Sequence, residues 1–126
     1  MQTYKGSCHC GAVAFEVDTD LSEAVKCNCS LCTKKNALMT MVHESHFRIL
    51  KGEENLGLYE WNSRVAKHHF CSDCGIYTFH RRRSSPEHFA INVHCLDDVD
   101  TSTISIVEIN GQATPLIPDG SNPAGD

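Results

Sequence analysis

No run of apolar residues in this chain approaches the length needed to cross a bilayer as a helix, so a membrane protein of that kind is not expected. Met1, Gln2, Thr3, Tyr4, Lys5 and Gly6 lack the basic start and apolar stretch of a secretory or transit signal, and the expectation is a cytoplasmic chain. Basic residues are scarce as well: 11 Lys and Arg stand against 16 Asp and Glu, a formal charge of −5. Nucleic-acid binders usually present a basic surface that releases counterions from phosphate, so nucleic acid is not an expected partner. Helical periodicity is weak throughout, and neither a linker nor a low-complexity insert divides the interior. The 126 residues are therefore read as one domain, 1–126, ending in an extended Pro- and Gly-rich tail over 115–126. A domain of this size buries roughly two thirds of its unfolded surface. Its eight cysteines are thus not the rescue of a chain too small to fold.

What the sequence does contain is a series of short strand patterns. Val13, Phe15 and Val17 alternate with a period of two, which predicts a half-buried strand over 12–17. Further strands are expected around Ala37–Val42, Phe47–Lys51, Leu58–Trp61, Val65–Phe70, Ile76–His80, Phe89–Cys95 and Thr103–Ile109. Gly52–Gly57, the Ser84-Ser85-Pro86 break and Asn110-Gly111, a two-residue hairpin signal, separate them. The best helical candidate is one short turn, Leu31–Lys35, capped by Ser30. The fold class is mostly β.

Seven of the eight cysteines fall in three tight groups: Cys8 and Cys10; Cys27, Cys29 and Cys32; Cys71 and Cys74. In a reducing compartment, closely spaced cysteines serve as metal ligands or catalytic groups more often than as disulfides. Zinc takes a tetrahedron of thiolates, and two cysteines one or two residues apart supply two corners from one segment. In Cys71-Ser72-Asp73-Cys74-Gly75 the glycine suits a tight knuckle, because it reaches positive φ without steric cost. Seven thiolates divide naturally into a closed set of four and an open set of three; the first pattern is that of a structural zinc, the second of a catalytic one. Spacing alone does not assign the groups. The simplest partition joins Cys8, Cys10, Cys71 and Cys74 into a closed site and leaves Cys27, Cys29 and Cys32 as the open one.

Three ordered motifs carry a family resemblance: Gly6-Ser7-Cys8-His9-Cys10-Gly11-Ala12-Val13-Ala14-Phe15, Cys27-Asn28-Cys29-Ser30-Leu31-Cys32 and Phe70-Cys71-Ser72-Asp73-Cys74-Gly75. Together with Asn92-Val93-His94-Cys95-Leu96-Asp97, they resemble the glutathione-dependent formaldehyde-activating enzymes, whose domain is similar to that of centromere protein V. The resemblance implies an Mss4-like fold of small curled β-sheets stapled by zinc. It also implies two zinc ions per chain, structural on the first and third motifs and catalytic on the middle one. The implied activity is that of a carbon–sulfur lyase joining glutathione and formaldehyde as S-hydroxymethylglutathione. The partner it implies is then a small thiol or a thiol–aldehyde adduct.

Other residues admit plainer readings. Cys95, in an apolar strand, is a candidate fourth ligand for the middle group, though a lone buried cysteine usually packs as a small hydrophobe. His9, His43, His46, His69 and His94 are candidates for proton transfer, with surface or supporting packing as the default, and only one of His68 and His69 can face a core. Trp61 and Phe79 are expected as core or pocket-lining aromatics, Glu53 and Glu54 as a solvated turn. Arg81, Arg82 and Arg83 suit a solvated strand end or a small anionic ligand. Two other functions compete with the lyase: a binding or scaffold module with two structural zincs, and thiol redox chemistry at Cys71 and Cys74, which lacks the βαβ setting of such a motif.

Overall fold

The computed structural model describes residues 1–60, 66–82 and 85–109. Among these residues, ten strands are distributed over two sheets, as expected of a mostly β chain. The smaller sheet is antiparallel, in the order β1 (Gln2–Ser7), β2 (Ala14–Thr19), β5 (Phe47–Lys51). The larger one runs β10 (Ser105–Ile109), β3 (Glu23–Cys27), β4 (Met39–His43), β9 (His88–Asn92), β8 (Tyr77–Arg81), β7 (Lys67–Cys71), β6 (Leu56–Tyr59). Its pairs are antiparallel except for β10 on β3, which is parallel. No described helix is long and apolar enough to cross a membrane.

The alternation read in β2 sends Phe15 and Val17 into the core, where both are fully buried. Phe15 and Phe47 of the small sheet meet Phe79 of the large one, with Phe47 and Phe79 ring centroids 4.6 Å apart. Ile91, Val93 and Leu96 complete this contact. Aromatic side chains bury 150–250 Å² each as a rule, so this cluster is the principal apolar bond between the sheets.

Local chemistry accounts for the departures from the predicted elements. The strand expected over Phe89–Cys95 stops at Asn92, because the Asn92 carboxamide accepts from the His94 amide at 3.1 Å and folds Val93–Cys95 into a 3₁₀ turn. Cys95 therefore lies in a turn rather than a strand. The short helix α1 (Ser30–Lys35) forms where expected, but its cap is Cys29, whose sulfur accepts from the Cys32 amide at 3.3 Å; Ser30 is its first residue. Two strands, β1 and β3, have no counterpart among the predicted ones. The expected positions of Trp61, Val65, Arg83, Ser84, the Asn110-Gly111 hairpin and the 115–126 tail lie outside the described residues.

Candidate metal centres

Cys8 and Cys10 leave β1 in a tight knuckle held by the Cys8 amide on the Val13 carbonyl at 3.1 Å. Cys71 ends β7, and a second knuckle carries Cys74 and Gly75 before β8, closed by the Gly75 amide on the Cys71 carbonyl at 2.8 Å. Gly75 has φ +78, the left-handed conformation that its place after Cys74 suggested. The four sulfurs lie within 4.8 Å of one another. Cys10 Sγ is 3.7 Å from both Cys8 Sγ and Cys71 Sγ.

These spacings test directly whether a metal fits. Four sulfurs about 2.3 Å from a central zinc stand about 3.8 Å apart along each edge of the tetrahedron, whereas a disulfide requires about 2.05 Å. The two edges at Cys10 have the dimensions of the first, and the other pairs lie within 4.8 Å. The cluster's thiols are shifted unequally: the amides of Cys10 and Ile76 bring the Cys74 thiol down to about 6, whereas at Cys10 the Ala12 amide is outweighed by burial and the neighbouring thiols, which push it up to about 12. At Cys8, burial opposes ionisation but is outweighed by the Val13 amide and the neighbouring thiols, so this group, like Cys74, is lowered.

The second group is local. Cys27 ends β3, Cys29 caps α1 and Cys32 sits in its first turn, so one strand-to-helix corner gathers all three sulfurs within 4.8 Å. All three are buried. The Cys27 and Cys32 thiols donate toward Cys29, with amide help, and bring its sulfur down to about 2; the same crowding pushes Cys32 far up. Three thiolates so close repel one another, and a divalent cation is the group that would let them ionise together. Among the described residues no fourth His, Cys, Asp or Glu joins this set.

A cavity of about 430 Å³ opens beside it, lined by Cys27 and Cys32 together with Lys26, Asn28, Thr33 and Asn36. Glu108 and Ile109 of β10 line it as well. Asn36 closes α1 in the left-handed conformation, φ 52, with its amide on the Cys32 carbonyl at 3.0 Å. From behind, Lys35 Nζ lies 2.7 Å from His68 Nδ1 and 3.6 Å from the centroid of the Tyr77 ring, and the Tyr77 hydroxyl is 2.6 Å from His80 Nδ1. The two Lys35 contacts fasten α1 to β7 and β8.

Cys95 is not the fourth ligand of the middle group. Its sulfur donates to the Tyr77 carbonyl at 3.5 Å, and burial pushes the thiol up to about 12, with charge on Cys8 and Cys74 adding to the effect. It lies toward the four-cysteine cluster and behaves as a buried thiol. None of His9, His43, His46, His69 and His94 lines the cavity at Cys27 and Cys32. His43 caps a 3₁₀ turn, His46 is 3.7 Å from Asp18, and His69 stacks on Phe79 and is lowered by burial. His9 and His94 line a separate cavity of about 480 Å³. His68, not His69, takes the core-facing position. Arg81 is engaged by Glu44 at 2.8 Å and by the Phe89 ring.

The polar lining of the cavity was not singled out from sequence. Asn36 carried a usable signal, since an Asn directly after a helical turn favours the left-handed cap. Glu108 carried none, because a parallel pairing between residues so far apart leaves no local pattern.

The family model for glutathione-dependent formaldehyde-activating enzyme matches residues 3–109. Among solved structures, a crystal structure of a Rhodobacter sphaeroides protein is similar, with a TM-score of 0.76 and 42% identity, covering 82% of this chain and 99% of that one.

Proposed function

The chain belongs to the glutathione-dependent formaldehyde-activating enzyme family, and from that premise we propose that it is a carbon–sulfur lyase-like enzyme acting on an adduct of a small thiol and an aldehyde. In this reading Cys8, Cys10, Cys71 and Cys74 hold a structural zinc and Cys27, Cys29 and Cys32 a catalytic one. By the family's description the thiol is glutathione and the aldehyde formaldehyde. A reducing, cytoplasmic setting goes with it, since it keeps all seven thiols available.

The observation that carries the reading is the contrast in completeness. One sulfur set has four members within 4.8 Å of one another, while the other has three and adjoins a cavity of about 430 Å³. A site built only to hold the fold together needs no adjoining cavity, which counts against a scaffold with two structural zincs.

A zinc ion on the three-cysteine set would supply a Lewis-acidic centre that favours the thiolate form of a thiol or polarises a carbonyl. The protein's own residues then have definable tasks. Cys27 and Cys32 border the cavity and fix where the reacting sulfur approaches; Asn28, Thr33 and Asn36 offer hydrogen bonds along its wall. In the synthetic direction the thiol sulfur forms a bond to the aldehyde carbon, and the thiol proton ends on the former carbonyl oxygen. Cleavage reverses both transfers, with no net oxidation or reduction.

Exchange between formaldehyde with glutathione and S-hydroxymethylglutathione, followed by NMR, tests this. Zinc-loaded protein is expected to accelerate the exchange, and Cys32→Ala, which keeps a good helix former in α1, to lose the acceleration. An exchange rate unchanged by fully loaded protein overturns the proposal.

A further inference from the structure

We infer that Lys26 and Glu108 make the cavity beside Cys27 and Cys32 selective for a thiol carrying both a free ammonium and a free carboxylate, an inference that rests on the thiol-binding reading above. The parallel pairing of β3 and β10 sets Lys26 abreast of Glu108 and Cys27 abreast of Ile109. These are the last two residues of each strand, so the cavity sits at the carboxyl ends of the pair, and all four line it.

Among the described residues, Lys26 and Glu108 are the only charged ones that line this cavity. Both are exposed, and neither enters an ion pair with another described residue. One cation and one anion are thus left side by side, on the rim of a cleft whose floor carries the thiolate cluster. A ligand anchored through sulfur at Cys27 and Cys32 would bring its remaining groups to this rim. An amino-acid-type thiol satisfies both rim charges: its carboxylate meets Lys26 and its ammonium meets Glu108. Like-charge contacts are avoided in that orientation, and an uncharged thiol leaves both residues to water. Free cysteine and γ-glutamyl thiol peptides belong to the class; 2-mercaptoethanol does not.

Calorimetric binding to zinc-loaded protein separates the possibilities, using cysteine, N-acetylcysteine, cysteine methyl ester and 2-mercaptoethanol as probes. Cysteine should bind roughly two- to fivefold more tightly than either blocked form, the range for a charge pair at an exposed site. Glu108→Gln should erase the discrimination against N-acetylcysteine alone, and Lys26→Gln that against the methyl ester alone. Zinc content and circular dichroism should be unchanged in both variants, because the β3–β10 ladder is made by backbone. If all four thiols bind wild type alike, or if the preferences survive both substitutions, the assignment of Lys26 and Glu108 is wrong while thiol binding stands. Should none of the four bind protein with its full zinc, the thiol reading and this inference fall together.

Discussion

Cys10 and Cys71 meet across 61 positions of sequence and join the ends of strands from two different sheets, whereas Cys27, Cys29 and Cys32 are gathered at one corner between β3 and α1. A bond that closes a long loop removes far more freedom from the unfolded chain than one within a single turn. A metal in the first cluster therefore constrains the whole molecule, and a metal in the second constrains about one turn of chain. Chemical likeness of the ligands hides this difference. On the proposed reading, topology, more than the identity of the donors, separates a folding site from one that is free to react.

The contrast is broken most severely at Cys71, which is fully buried between the two sheets. A structural zinc contributes on the order of 10 kcal/mol of folding free energy, comparable with the entire stability of an ordinary domain, about 5–15 kcal/mol. Cys71→Ser is accordingly expected to abolish cooperative thermal unfolding, as read by circular dichroism. A redox role for Cys71 and Cys74 predicts the reverse, an intact fold without thiol exchange.

Two glycines sharpen the comparison on the side of the first cluster. At Gly52, φ +83, an added Cβ would stand 1.9 Å from the Ala12 carbonyl oxygen, beside the Cys8–Val13 knuckle. At Gly75, φ +78, an added Cβ would meet none of the described residues within 4 Å beyond its chain neighbours. Gly52→Ala should cost roughly 3 kcal/mol or more, since both the clash and the backbone conformation oppose it. Gly75→Ala, opposed by conformation alone, should cost about 1–2 kcal/mol. Denaturant titration of the two variants checks the order.

Chelation offers a gentler separation. A moderate chelator is expected to withdraw one zinc from the three-cysteine group, which has fewer thiolates and an adjoining cavity, before the four-cysteine group yields. Circular dichroism should stay unchanged through the first step and collapse in the second. The smallest effect belongs to a control remote from both clusters. Hydrogen bonds from Arg48, then Thr3, hold the Asp18 carboxyl well below the ordinary carboxylate range. A group lowered in the folded state stabilises it above its unfolded value, about 4, and that contribution is lost as pH falls below it. Asp18→Asn should therefore lower Tm slightly at pH 7, the difference should shrink below about pH 4, and at pH 7 zinc content should remain that of wild type.

Much of this arrangement was legible in the chain. Local spacing disclosed the three cysteine groups, and the sulfur positions fall into the two sets of the simplest partition, four and three. Strong alternation disclosed β2, and the apolar runs disclosed most other strands. What stayed hidden depended on partners distant in sequence. β1 has a single buried residue, and β3 is held by a single register pair to β4 and by its parallel ladder to β10. Neither has a pattern of its own to read. The Asn92 side chain ended a strand that hydrophobicity alone would continue, and Cys29 took over a capping role that residue preferences assign to Ser30. The cavity rim was hidden for the same reason as β3: Lys26 and Glu108 meet only once the parallel ladder exists.

Zinc per chain and thermal unfolding measured together on Cys29→Ser test the separation of the two centres most directly. One zinc in place of two, with cooperative unfolding close to that of wild type, is the predicted result. Loss of both zincs, or of cooperative unfolding, would contradict it and make the middle cluster a second staple of the fold.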